Sequence, residues 1–274
     1  GVDPDLTAYL EGLPITYTSG CSDVVSDTLV SLKEGAVNWD LLDLLCLTST
    51  DYRYNSYFSL KNPTLYTAVE QGAMLWNQLG FKGAVNSYVR TGFTPSSDGV
   101  NFQQDSACFF YWSLTDATNN NYCDGGAQNL VGSPEKSLFV FSKTALGTVG
   151  SINDAGSGVD VTAVGSSIGL FSYVRDSATQ FKKYLNGVLI DTISVNSTGL
   201  SDLEVWMFGL NRDSSLLFPS ERQLACYGFG SGAIDQAELY TSLGLYVTGM
   251  ATLYPSPSTL ATLPINNARL KLAI

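Results

Sequence analysis

Asp202 and Glu204, in the stretch SDLEVW, place two carboxylates on one face at the start of an expected strand. Residues two apart on a strand lie roughly 6.5–7 Å apart at Cα. A retaining glycoside hydrolase holds its two carboxyl groups about 5–5.5 Å apart, so the spacing admits that chemistry. Asp202 also follows Thr198, Gly199 and Ser201, a setting in which an acidic side chain serves a solvated turn, and this is the reading adopted. The 274-residue chain contains no histidine. That removes imidazole bases, histidine-centred triads and the commonest metal ligand, and no catalytic residue is expected.

Two other groups carry hard oxygen ligands: Asp154 and Asp160 in SINDAGSGVD, and Asp116, Asn119 and Asp124 around an Asn-Asn-Asn run. Calcium takes six to eight such oxygens, but neither group matches a defined calcium loop. Both are expected to be ordinary polar loops, with no metal or other cofactor. Sugar recognition needs an aromatic face for the apolar side of a ring and planar polar groups for its hydroxyls. Trp112, Tyr173, Tyr184 and Trp206 are strand-borne aromatics, and Asn119, Asn120, Asn121, Arg212 and Asp213 lie in neighbouring loop-like segments. Strand aromatics mostly fill cores, Trp112 within ACFFYWSL above all. The candidate ligand-binding set is therefore Tyr184, Trp206, Asn121, Arg212 and Asp213. Arg222 is expected to bond loop carbonyls rather than a ligand, and Asn196-Ser197-Thr198 matches the N-glycosylation acceptor pattern.

The elements that would position these residues are mostly short strands. In FKKYLNGVLIDT the Asn-Gly pair favours a two-residue type I′ hairpin, which sets Leu185 opposite Val188, Tyr184 opposite Leu189, Lys183 opposite Ile190 and Lys182 opposite Asp191. Phe181, Leu185, Val188 and Ile190 then form a core face interrupted by Lys183. Lys182, Tyr184 and Asp191 form a wet or ligand-facing side. NSYVRTGF, SACFFYWSL, KSLFVFSKT, SSIGLFSYVRD, LEVWMFGLN and RQLACYGFG also read as strands, separated by turn formers. Two antiparallel sheets are expected from about residue 60 to 230. Before them, residues 22–35 show helical spacing with Ser22 as cap and Gly35 as stop, and a second helix is expected over 38–47 with Asn38 as cap. A late helix is expected over 235–245, capped by Asp235 with Glu238 completing a capping box.

Charged residues make up only 14% of the chain, and the net charge of −11 disfavours nucleic acid or anionic membranes as partners. No apolar run reaches 18 residues, and no secretion signal is recognised at the start. The five cysteines show no CxxC spacing and are expected to be free and buried. Residues 1–59 are read as a helical segment packed on a sandwich at 60–250, and 251–274 as an extended arm or linker with prolines at 255, 257 and 264.

One ordered series of motifs resembles a known family. YLNGVLIDTISVNSTGL, VWMFGLNRD and FPSERQLACYGFGSGAIDQAELYTSLGLY follow the C-terminal half of concanavalin A-like (laminin G-like) domains of tailed-phage virion proteins. Gly209 and Asn211, Ser220 and Arg222, then Gly230, Asp235, Glu238, Leu239, Tyr240, Thr241, Leu243 and Gly244 fall on the pattern. AYL, LVSLKEG, WDLLDLLC and FSLKNP are similar to the segment preceding the sandwich, so the likeness covers roughly residues 3–250. SLGLYVTG departs from it by replacing a longer helix, and the arm has no counterpart. The resemblance implies a mainly β jelly roll in a non-enzymatic structural protein of a virion tail, fibre or head surface, assembled in the host cytoplasm. Other virion proteins, copies of the same chain and host surface glycan are the implied partners. The alternative is a polysaccharide-degrading hydrolase on the same sandwich. Such glucanases carry Glu-x-Asp-x-Glu on one strand, of which this chain offers only Asp202 and Glu204.

Overall fold

The computed structural model describes residues 3–34, 39–119, 121–131, 134–156 and 161–255. The helices are α1 Pro4–Gly12, α2 Ser19–Glu34, α3 Pro95–Asp98 and α4 Gln236–Leu253. The strands are β1 Leu42–Leu47, β2 Val69–Gln71, β3 Leu75–Asn77, β4 Gly80–Lys82, β5 Tyr88–Arg90, β6 Ala107–Ser113, β7 Gly125–Asn129 and β8 Lys136–Phe141. They continue as β9 Val149–Asp154, β10 Gly169–Ser177, β11 Gln180–Leu185, β12 Val188–Ser194, β13 Trp206–Met207, β14 Leu210–Arg212, β15 Ser215–Leu217 and β16 Gln223–Gly230.

The first sheet runs β12-β11-β10-β6-β16-β4-β3, with β1 also on β16. The second runs β15-β14-β7-β13-β5-β2, with β8 on β7 and β9 on β8. It is mixed rather than wholly antiparallel, because β14 lies parallel to β7. Strand side chains alternate between faces. Phe109 and Tyr111 of β6, Tyr227 and Phe229 of β16, and Leu138 and Val140 of β8 therefore meet between the sheets. Cys108, Phe110 and Trp112 of β6 point the other way, onto α1, α2 and α4, where Leu6, Val25, Leu29, Leu239, Leu243 and Tyr246 are buried. The chain is thus three layers: helices, first sheet, second sheet.

Residues 42–47 form β1 and not the expected helix; Asn38 and Gly35 lie outside the described residues. All six positions are buried, and a bulge between Leu42 and Leu44 inserts one residue into the pairing with β16. Leu42 and Leu45 consequently share the helix-facing side while Leu44 and Cys46 face the sandwich. Three-residue spacing that imitates a helix is here a bulged, doubly buried strand, and the sheets begin well before residue 60.

The late helix also runs further than expected, because Leu239, Leu243, Tyr246, Val247 and Met250 keep the spacing of one buried face. Asp235 caps it, accepting from Ala237 N and Glu238 N at 2.9 Å. Residues 251–253 of the expected arm are helical, and residues 256–274 lie outside the described set. Among the described residues no helix is long and apolar enough to cross a membrane. The five cysteines are free and buried, and burial pushes the Cys46 and Cys108 thiols up to about 12.

The Asn-Gly hairpin forms, with Asn186 and Gly187 both at positive φ, 54° and 76°. Its register slips after two pairs. Ile190 is accommodated as a bulge, so Lys183 faces Asp191 and Lys182 faces Thr192. Lys182 pairs instead with Asp176, and Lys183 is almost fully buried, bonded to Thr162. Val188 and Ile190, expected on the core face, are exposed and half-buried, and Ile193 fills the core opposite Phe181.

Candidate functional site

The outer face of the second sheet carries an apolar row: Phe139 and Phe141 from β8, Val149 from β9 and Leu210 from β14. Phe139 and Phe141 alternate along β8 with the core-facing Leu138 and Val140. Phe139 sits opposite Gly126, where a Cβ would come within 2.7 Å of the Phe139 Cβ, so glycine there gives the ring room. The β14–β15 hairpin closes one side, bringing Leu217 and Phe218 onto the row. Its two-residue turn, Asp213-Ser214, has both residues at positive φ, as the right-handed twist of a tight hairpin favours. Phe218 also sits at φ 53°, a costly conformation for a bulky residue and one that tends to persist at functional sites.

Between these elements lies an open groove of about 300 Å³, lined by Phe139, Phe141, Leu210, Phe218, Gln128 and Arg212 together with Thr144, Val149 and Gly156. The rings stand edge to face, Phe139 to Phe141 at 5.9 Å and 88° and Phe141 to Phe218 at 5.7 Å and 61°. Gln128 Oε1 accepts from Arg212 Nε at 2.7 Å, and its Nε2 donates to Ser137 Oγ at 3.1 Å. The Arg212 guanidinium lies 5.8 Å from the Phe218 ring centroid. Gly156, at φ 68°, passes so close to Gln128 Nε2 and Ser137 Oγ that a Cβ would lie 2.8 and 2.6 Å from them. The groove is therefore apolar on its floor, with one cation and one amide fixed at its side.

A buried ion pair braces the sheet beside it. Arg222 Nη1 donates to both Asp124 carboxylate oxygens at 3.0 Å, and Nη2 donates to the carbonyls of Ala117 and Lys143 at 2.7 and 2.9 Å. Asp124 also accepts from Ser220 Oγ, Ser142 N and Ser142 Oγ. Arg222 is thus a clamp on loop carbonyls, and with Asp124 it fixes Ser142 and Lys143, the residues between Phe141 and Thr144.

Of the expected binding residues, Arg212 lines the groove. Trp206 shares that sheet face, since its neighbour Met207 is in the sandwich core, but it is buried and stacked on Tyr88 at 4.1 Å. Asp213 is exposed in the adjoining turn and accepts from Leu130 N. Asn121 is exposed in a loop where Asn119 Oδ1 accepts its backbone N–H, and Asn120 lies outside the described residues. Tyr184 is on the opposite side of the molecule, half-buried against the helix-facing cluster, and does not converge with the others. Tyr173 and Trp112 are core residues. Gln128, Phe139, Phe141 and Phe218 were not anticipated. The available signal was KSLFVF, a strand apolar on both alternating sets.

The acidic candidates each meet a partner. Asp202 accepts from Lys136 Nζ at 2.8 Å, which holds its carboxyl below the usual range. Glu204 accepts from Arg90 Nε and Gly92 N. Asp154 accepts from Ser151 Oγ and Gly156 N, with Arg175 at 3.6 Å. Asp116 accepts from Ser167 N and Lys143 Nζ. Asp160 lies outside the described residues.

No family model and no curated protein matches the sequence. Among solved structures the chain is similar to a point mutant of HCR/D, with a TM-score of 0.50 and 11% identity over 76% of this chain and 53% of that one. It is also similar to a structure concerned with botulinum neurotoxin type C and its interaction with two ganglioside molecules (TM-score 0.43, 13% identity, 74% and 52% covered). A point mutant of NanB sialidase from Streptococcus pneumoniae gives 0.38 and 16%, with 50% and 24% covered. The chain spans about half the length of the first two and about a quarter of the third. The HCR/D likeness is one of fold. The chain is a mainly β sandwich of two sheets with a helical layer on one side.

Proposed function

We propose that the chain is a non-enzymatic glycan-recognition module of a phage virion, and that the groove on the outer face of the second sheet is its binding site. One observation carries this reading: an apolar aromatic row on a sheet face that no described helix covers, with a fixed amide and guanidinium beside it. An aromatic floor suits the C–H face of a sugar ring, and planar donors suit its oxygens. At about 300 Å³ the groove is at the small end of ligand pockets, which run about 300–1,000 Å³. It has room for about one ring, so affinity per chain is low and multivalent display on a particle raises it. The virion setting is supported by the ordered motifs from Tyr184 to Tyr246. The non-enzymatic reading is supported by the separate partners that hold Asp202 and Glu204.

A glycan array probed with the purified chain coupled to beads tests the reading. Binding should be selective and should fall at least about tenfold in Phe218→Ala, while a Tyr184→Ala variant on the helix side binds as wild type. Equal binding by Phe218→Ala and wild type removes the groove from consideration. Release of reducing ends from a bound polysaccharide, abolished by Glu204→Gln, would favour the hydrolase instead.

A further inference from the structure

The charge in the groove is one-sided. Among the described residues its lining includes Arg212 and no carboxylate, although the chain as a whole carries −11. Among the described residues Arg212 donates through Nε alone, to Gln128, and neither of its terminal amino groups has a partner. Asp213, next to Arg212, accepts from Leu130 N, and Asp154, two residues before Gly156 of the lining, is engaged with Ser151, Gly156 and Arg175. A guanidinium on an acidic protein ordinarily finds a carboxylate, as Arg53, Arg90, Arg175 and Arg222 do here.

Arg212 is also oriented before any ligand arrives. The bond from Nε to Gln128 and the Phe218 ring beside the guanidinium fix the plane of the fork, and Gln128 is itself held by Ser137. A planar, pre-set fork with two free amino groups matches a carboxylate bidentately, and pre-setting removes part of the ordering cost of binding. A neutral sugar could offer that fork hydroxyl oxygens but no negative charge, so its bonds would lack charge assistance.

Resting on the glycan-binding reading above, we infer that the groove selects acidic sugars, in which a ring carbon carries a carboxylate: the ring packs on Phe139, Phe141 and Phe218 while the carboxylate receives the Arg212 fork. Uronates and sialates share this chemistry, and the test separates them.

The test titrates the wild-type chain, followed by ligand-observed NMR, with four probes: oligogalacturonate, its methyl ester, sialyllactose and lactose. Binding of at least one acid about tenfold tighter than its neutral counterpart is expected, which corresponds to about 1.4 kcal/mol. Whichever acid shows the preference identifies the source. Arg212→Gln should bring the acid-to-neutral ratio close to one, and Arg212→Lys, which keeps charge but not the fork, should retain only part of it. The pairwise ratio on wild type needs no variant and stands even if Arg212→Gln folds poorly. Equal affinity for acid and ester, or binding of neutral glycans alone, overturns the inference and leaves glycan recognition standing. Failure of every glycan, acidic or neutral, on an array carrying both removes the glycan reading and this inference with it.

Discussion

The two sheets of the sandwich treat their outer faces differently. The first sheet buries Cys108, Phe110, Trp112 and Leu170 beneath α1, α2 and α4, so both of its faces are core. The second sheet turns Phe139, Phe141, Val149 and Leu210 outward with no described helix over them, and the β14–β15 hairpin leans across from one side. Phe139 and Phe141 keep 8% and 9% of their surface exposed, low enough to be stable and high enough to leave a groove. Apolar surface left in water costs about 25 cal/mol per Å². Val149 and Leu210 are as closely packed, at 7% and 1%, so the row costs the fold little, and it is the groove above it rather than exposed apolar area that marks where a ligand is to be sought. One face holds the fold, and the other is the one proposed above to meet a ligand.

The sharpest break in that contrast is expected at Arg222→Ala. Removing the guanidinium leaves Asp124 as a buried charge without its counter-ion and frees the carbonyls of Ala117 and Lys143. Loss of one partner of a buried pair costs about 3–5 kcal/mol. Denaturant unfolding should show that loss, together with weakened binding, because the same clamp sets the chain around Phe141. A loss below about 1 kcal/mol would mean that the open face is not braced from beneath.

Next in size is a pair of substitutions with opposite consequences. Leu243→Ala empties a fully buried site under the helix layer and should cost about 2–5 kcal/mol with little effect on binding. Phe218→Gly removes a half-buried ring from the groove but relieves a backbone at φ 53°, so stability should change by no more than about 1 kcal/mol while binding falls about tenfold. If Phe218→Gly unfolds the chain, the hairpin is part of the core and the division between the two faces is wrong.

Much of this contrast was written in local sequence, and part of it was not. Asn186-Gly187 and the Asp235 cap are set by neighbours in the chain, and both were legible. Arg212 was named for its planar cation but ends strand β14 rather than lying in a loop, whereas Arg222 was legible as a clamp, because residue type and turn context suffice for it. The strand at 42–47 was misread because a bulge put Leu42 and Leu45 on one face, and bulges depend on the partner strand. Phe139 and Phe141 were hidden for a related reason: in KSLFVF both alternating sets are apolar, and only tertiary packing decides which one the other sheet covers. Tyr184 was placed on a wet face that the helix layer in fact covers. Local rules fix turns and caps; which face is open is a property of the assembled layers.

The helix layer should be less sensitive to its cap than to its packing. Asp235→Ala removes the acceptor for Ala237 N and Glu238 N, and caps of this kind are worth about 1 kcal/mol. Thermal unfolding of Asp235→Ala should therefore show a much smaller loss than Leu243→Ala. A loss as large as that of Leu243→Ala would show that α4 owes its place to its first turn rather than to its buried face.

The smallest effect expected is acid loosening at the rim of the open face. Asp116 accepts from Ser167 N at 3.0 Å and Lys143 Nζ at 3.1 Å, and these bonds hold its carboxyl below the usual value of 3.8, Ser167 contributing most. A carboxylate lowered in the folded state stabilises fully above that usual value, and the contribution is lost as pH falls through the lower folded one. Asp3 is lowered in the same sense by Lys33, where it caps α1 beside α2. Acid should therefore loosen both layers, each through its own carboxylate. Protection of the Ser167 amide, corrected for intrinsic exchange, should decline below about pH 4 in the wild type. In Asp116→Asn that decline should flatten while the α1–α2 response persists. If both responses flatten together, the two faces are coupled through the first sheet and do not respond to acid independently.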